Sequence, residues 1–246
     1  AGFGWRASFL FMAGIGALTL VLVWADLGET APRDGGGFAE QLRAWPEVLA
    51  STRFWGWTLT AMCASGAFFA FLGGGPFVAR EIMGLGPAEA GFWFGFIAIG
   101  YMTGNFVTSR IAERMGLRRM VLLGTSVATL GMCVSLAAFG LGATHPLAFF
   151  GPVILVGMGN GMTLPSTMSG ALSVRPRVAG AAAGLNSAML IGGGAAISAV
   201  TGALLGPETG PWPLVGMMLA SSAASMVAAQ WVARVDLRRE RAARAG

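Results

Sequence analysis

The sequence predicts an all-α integral membrane protein with seven transmembrane helices. Three observations predict it. Only 11% of the 246 residues are charged and 55% are apolar, where a soluble domain carries about 25% charged residues. Seven stretches, 7–25, 54–79, 90–109, 120–144, 146–174, 178–207 and 209–233, hold no Asp, Glu, Lys, Arg or His. Each is close to or above the ~20 residues with which a helix crosses a bilayer core about 30 Å thick. No polar–apolar alternation marks a membrane β-barrel. Backbone groups in lipid must be satisfied internally, so each stretch is read as a helix. This composition excludes a soluble globular domain, a disordered chain and a disulfide scaffold. The formal net charge of +5 does not point to nucleic acid, because the basic residues are scattered between apolar runs.

The spans are expected at 7–25, 54–77, 90–110, 119–141, 148–170, 180–205 and 212–233. The first is uniformly apolar and follows Arg6. Residues 26–53 form the longest loop. It opens on a polar linker ending in Gly35-Gly36-Gly37. It continues in an amphipathic stretch, with Phe38, Leu42, Trp45 and Leu49 at helical steps, suited to lying on the membrane face. The second span carries Phe68, Phe69 and Phe71 before Gly73-Gly74-Gly75-Pro76. The third carries Phe92, Trp93, Phe94, Phe96, Tyr101 and Asn105. Its residues 92–94 read as an interfacial aromatic belt. Phe69 and Tyr101 lie deeper, where packing competes with stacking on an aromatic or lipophilic cationic compound. The fourth span follows an arginine cluster. The fifth contains Gly157, Gly159, Asn160, Gly161 and Pro165. Gly159, Gly161 and Pro165 are expected to break this helix, as in spans that line a substrate path, or to pack closely on a neighbour. The sixth is rich in Gly and Ala, which permits close, sliding contact. Asn186 is its candidate cavity residue. The seventh leads into a basic tail over 234–246. Cys63 and Cys133 fall in separate spans, so neither a disulfide nor a metal site is implied. His145 beside Pro146 reads as an outer-loop residue.

Arginine gives the orientation. The chain has no lysine, and its 16 basic residues divide fourteen to two between alternate inter-helix segments. The positive-inside rule places the fourteen in the cytoplasm. The chain then starts outside and ends inside, in a bacterial inner membrane. Gly2 to Arg6 reads as a short outer loop, and an odd number of spans suits half of a paired-repeat transporter poorly. The chain is therefore expected to be the second part of a longer protein.

The segment Gly104-Asn-Phe-Val-Thr-Ser-Arg110-Ile-Ala-Glu113-Arg114-Met-Gly116-Leu-Arg118-Arg119 carries the clearest motif. Gly116 permits a tight turn. Glu113 can accept charge-assisted hydrogen bonds or sit at the positive end of a helix. With Gly104, Arg114, Arg118 and Arg119 these form a candidate conformational latch. This segment resembles the loop motif of the major facilitator superfamily. Gly4-Trp5-Arg6, Glu29-Thr30 and the Ala179–Gly184 helix start resemble the Bcr/CflA type of drug:proton antiporter, although Gly28 and Glu113 depart from its usual Pro and Asp. The resemblance implies helices six to twelve of a twelve-helix fold. Residues 1–25 are then the last helix of the N-terminal half, 26–53 the cytoplasmic central loop, 54–233 the C-terminal six-helix bundle and 234–246 the tail.

The expected function is secondary, proton-coupled efflux of small lipophilic or cationic compounds by alternating access. Its partners are the substrate, protons, the bilayer and the missing N-terminal half. No enzyme activity, cofactor, metal or nucleic acid is expected. The substrate cavity is expected to use Phe69, Tyr101, Asn105, Asn160, Asn186 and Met189. No span holds a carboxylate, so the proton-coupling residue is expected on the missing half. Alternatives are an uptake or metabolite transporter of the same family, or a non-transporting seven-helix protein. A retinal pump is excluded, since its Schiff base needs a lysine.

Overall fold

The computed structural model describes residues 6–26, 38–143 and 145–245. Gly4, Trp5, Gly28, Glu29, Thr30 and the glycine run 35–37 lie outside the described residues, as do the side chains of 38–41. The described residues form helices and turns without a strand. Among them, seven helices are long and apolar enough to cross a membrane.

The chain divides into two compact units, 1–40 and 41–246. The first contains α1, Arg6–Asp26. Its Thr19 hydroxyl donates to the Ile15 carbonyl at 2.9 Å, so the helix absorbs its own polar group. The second unit takes up most of α2 (Phe38–Leu49), then α3 (Thr52–Phe77), α4 (Pro87–Met115), α5 (Leu117–Gly140), α6 (Pro146–Leu172), α7 (Ala179–Leu204) and α8 (Trp212–Ala245). A π-helical turn, Val78–Ile82, extends α3 past Pro76.

Helix ends follow local chemistry. The Ser51 hydroxyl accepts from the Phe54 N–H and starts α3 before the charge-free run begins. His145 caps α6, its Nδ1 accepting from the Leu147 N–H at 3.1 Å. Gly116, at φ +78°, joins α4 directly to α5, a conformation that favours glycine. Helix α8 does not stop at residue 233. It runs as helix to Ala245, because Ala, Arg, Leu and Glu are strong helix formers. Asp236 and Glu240 also tie it to Arg53 and Arg118. In α2, Ala44 and Val48 turn inward, while Leu42 and Trp45 are exposed. The stretch is helical, and of the large residues that suggested the pattern Leu49 packs on the cluster around Trp57, while Ala44 and Val48 supply the rest of the docked face.

Helix α3 packs on α6, α7 and α8, and α6 packs on α3, α4 and α5. Exchanging α3–α5 with α6–α8 maps these main contacts onto one another, as expected of two three-helix repeats, although the lesser α6–α7 contact has no comparable α3–α4 counterpart. Two buried clusters stabilise opposite ends. One gathers Phe71, Phe149, Phe150, Met132 and Leu214. The other gathers Val48, Phe54, Trp57, Leu185 and Val232.

Glycine sets the spacing of the inner helices. On α4, a Cβ at Gly100 or Gly104 would strike the backbone of Ile154 or Met158. On α6, a Cβ at Gly157 or Gly161 would strike the backbone of Ile97 or Tyr101. Gly159 meets α5 at Gly124 and Ala128. These contacts replace a hydrophobic driving force that lipid does not supply. Helix α6 stays α-helical from Pro146 to Leu172. The expected break at Gly159, Gly161 and Pro165 is therefore not present. The two glycines are packing points instead, and Pro165 is accommodated within the continuous helix.

Candidate functional site

Helices α3, α4, α6 and α7 enclose a recess of about 500 Å³. Helices α3, α4 and α6 each contribute residues about one turn apart. Ser65, Phe68, Phe69 and Leu72 come from α3; Phe94, Ile97, Ala98 and Tyr101 from α4. Helix α6 adds Gly157, Asn160 and Leu164, and α7 adds Leu190. Spacings of three and four residues put each set on one helix face. No charged side chain lines the recess. Leu72, Ala98 and Tyr101 are exposed at its rim.

Phe94 lies with its ring centroid 4.6 Å from that of Phe71, and Phe68 makes an edge contact with Phe69. The Phe69 ring lies on Gly194 of α7, where a Cβ would overlap it. Phe94 similarly reaches Gly75 of α3, where a Cβ would come within 2.9 Å of its Cζ. Two walls of the recess thus lie on glycine backbone.

Asn160 is the recess's amide. It is 3% exposed, and its Oδ1 has no hydrogen-bond partner. Such an unpaired buried group costs about 1–3 kcal/mol. Its neighbours Gly159 and Gly161 contact α5 and α4, so the backbone carrying the amide is clamped on two sides.

The recess contains Phe69, Tyr101 and Asn160 from the residues the sequence suggested. It does not contain the other three. The Asn105 amide donates to the Tyr101 carbonyl at 2.9 Å. Asn186 is buried, with its Nδ2 3.7 Å from the Met168 sulfur and its Oδ1 unpaired. Met189 packs on the cluster around Trp57. Phe94 was missed. It sits two residues from Phe92, which is 64% exposed, and the run 92–94 was read as one belt. The steps Phe94, Ile97, Ala98 and Tyr101 would have separated them.

All the candidate latch residues but Gly104 gather where α4 meets α5. A second recess, about 350 Å³, is lined there by Arg53, Trp57, Gly116, Arg118, Asp236 and Glu240, among others. Arg53 donates from Nε to Asp236 at 2.7 Å, and Arg118 lies 3.4 Å from Glu240. Glu113, Arg114 and Arg119 are exposed. No ion pair to them occurs among the described residues. Gly104 lies two turns or more away, against Met158. The same end carries Glu47 of α2, which holds Arg175 at 3.2 Å and Arg177 at 3.4 Å. The sequence motif did not reveal Arg53, Asp236 and Glu240, because they lie more than a hundred residues from it or on another helix.

Among the described residues, no group of His, Cys, Asp or Glu could hold a metal ion. A family profile described as Major Facilitator Superfamily matches residues 1–199 and 79–245. An uncharacterized MFS-type transporter, YdgK of Bacillus subtilis, is 27% identical over 187 residues, covering 74% of this chain and 46% of that protein. A second Bacillus subtilis protein, the uncharacterized transporter YycB, is 26% identical over 185 residues, covering 74% and 44%. The chain thus spans less than half the length of these relatives. The inner membrane transport protein YdhP of Escherichia coli is 27% identical over 111 residues, covering 45% and 28%. In three dimensions the chain is similar to a bacterial homolog of the human lysosomal transporter Spinster, solved inward-facing and unoccupied. The TM-score is 0.55 at 15% identity, covering 96% of this chain and 60% of that one.

Proposed function

We propose, from the premise that this chain belongs to the major facilitator superfamily, that it is the substrate-binding C-terminal part of a secondary transporter. In this reading the intact protein exports small amphipathic compounds against protons. The observation that carries it is the recess of about 500 Å³, apolar and aromatic, with one buried amide. That is the wall expected for lipophilic substrates held by area and stacking. Helices α1 and α3–α8 correspond to helices six to twelve, with 26–53 as the central loop. The arginine asymmetry supports a cytoplasmic location for the α4–α5 junction and the end of α8.

Alternating access needs two states of similar free energy. The exposed Glu113 and Arg114 would engage the other half in one state and release it in the next. Within this unit, Arg53–Asp236 and Arg118–Glu240 hold α3, α5 and α8 as one body. The charge-free runs of this chain hold no carboxylate, so the titrating group for proton coupling belongs to the other half.

The test uses the full-length protein in inverted membrane vesicles. Accumulation of a fluorescent amphipathic dye is expected only with an acid interior, and collapse of the pH gradient is expected to stop it. Accumulation that is unchanged after collapse would reject proton coupling. Failure to accumulate any of a panel of amphipathic dyes would reject drug efflux.

A further inference from the structure

We infer that the recess selects one part of the substrate, an uncharged aryl group carrying a hydrogen-bond donor. Asn160 anchors the donor, and Gly194 sets the size limit through Phe69. This rests on the transporter reading and deepens it.

Three observations lead there. First, the wall has no ionised side chain. A charge placed in it would be desolvated with no counter-ion among the lining residues. Any charge on a substrate must therefore lie outside this recess. Second, the wall is aromatic at Phe68, Phe69, Phe94 and Tyr101, which favours offset or edge contact with a flat ring. Third, Asn160 is 3% exposed, its Oδ1 lacks a partner, and the residue lines this recess. An acceptor left unpaired in an apolar wall is satisfied when a ligand brings an O–H or N–H to it. The close contacts of Gly159 and Gly161 hold in place the backbone that carries it.

Size follows from the α3–α7 contact. Phe69 lies on the bare backbone of Gly194. A methyl there must displace the ring, and the free volume on its other side is the recess. Residue 194 does not touch the substrate; it acts through Phe69 as a positioning residue.

The test is equilibrium binding to the full-length protein in lipid nanodiscs, with empty nanodiscs subtracted for partitioning. Radiolabelled 2-naphthol is compared with 2-methoxynaphthalene, which has the same rings and no donor. In the wild type, 2-naphthol is expected to bind about tenfold tighter. In Asn160→Leu the two ligands are expected to bind alike. In Gly194→Ala, 2-naphthol is expected to weaken several-fold while phenol stays within about twofold. Equal binding of the pair to the wild type would overturn the inference, and that comparison needs no variant to fold. A gap that persists in Asn160→Leu would overturn the role of that amide. Phenol and 2-naphthol weakening together in Gly194→Ala would overturn the size limit. These failures are separable from that of the transport reading. A naphthol preference without gradient-driven accumulation removes transport and leaves the recess. Accumulation without the preference does the reverse.

Discussion

Two of the long seams of the bundle use glycine in opposite ways. Where α4 meets α6, glycines face backbone: Gly100 and Gly104 lie on Ile154 and Met158, and Gly157 and Gly161 lie on Ile97 and Tyr101. Where α3 meets α7, three glycines face side chains rather than backbone: Gly66 on Ile197, Gly193 on Met62 and Gly194 on Phe69. The first seam cannot absorb a methyl without moving a helix. The second can absorb one by turning a side chain. The main contacts of the repeats are symmetric, yet the mechanics are not. The α4–α6 seam is the fixed wall of the recess, and the α3–α7 seam is its yielding wall.

The largest expected effect breaks the fixed seam. Gly104→Val drives two methyls into the Met158 backbone. It should cost about 3 kcal/mol or more, at the upper end of overpacking. Thermal unfolding in detergent should show a large loss of melting temperature or no folded protein. A Gly194→Val variant should retain more stability, because Phe69 can rotate away. If both variants lose the same amount, the distinction between the seams is wrong.

The next effect concerns what holds α3 while its α7 side yields. On its α8 side, Gly56 abuts Val232, and the Ser225 hydroxyl donates to the Thr60 carbonyl at 2.9 Å. The Arg53–Asp236 pair closes the end, with side chains only 24% and 13% exposed. Removing one partner leaves a partly buried charge. Arg53→Met should cost about 1–2 kcal/mol. The Arg118–Glu240 pair is 32% and 55% exposed, and Arg118→Met should cost under about 0.5 kcal/mol. Unfolding of the two variants at low and high salt measures this. Equal losses would mean that burial does not separate them.

Much of this architecture was legible in the sequence. Charge-free runs located the spans because excluding ions from lipid is a strong constraint on placement. The position of Gly116 was legible too, since a helix-to-helix junction with positive φ favours one residue type. Which way a span residue faces was much less so. A span is apolar on its lipid side and its core side alike, so the amphipathic signal of a soluble helix is absent. Phe92 and Phe94 look equivalent in sequence and face opposite ways. For the same reason Asn186 and Asn160 could not be told apart, although only Asn160 lines the recess. The helical extension of α8 is written in its run of strong helix formers, but the ion pairs that dock it join residues far apart in the chain, and no local pattern reports those.

A smaller effect than that of Gly104→Val is expected at Gly116. A Cβ there meets nothing within 4 Å, but φ is +78°. At ψ 154° this is a backbone region used almost only by glycine, and Gly116→Ala should therefore cost about 1–3 kcal/mol of backbone strain with no packing loss. Unfolding should show a shift that Gly194→Ala, with its yielding neighbour, matches or falls below.

The smallest stability effect is expected at Glu113, which is exposed and has no ion pair among the described residues. Glu113→Gln should leave the melting temperature of the full-length protein within about 1 °C, since surface changes away from contacts fall within about 0.5 kcal/mol. If Glu113 latches the two halves, the transport rate in inverted vesicles should nevertheless fall several-fold. The recess itself is untouched by this change, so 2-naphthol affinity should move little. A variant that transports at the wild-type rate would remove Glu113 from the latch. One that loses stability and transport together would make it a structural residue of the α4–α5 junction. The pair of readouts thus separates a group that acts between halves from the groups, Arg53 and Asp236, that hold one half together.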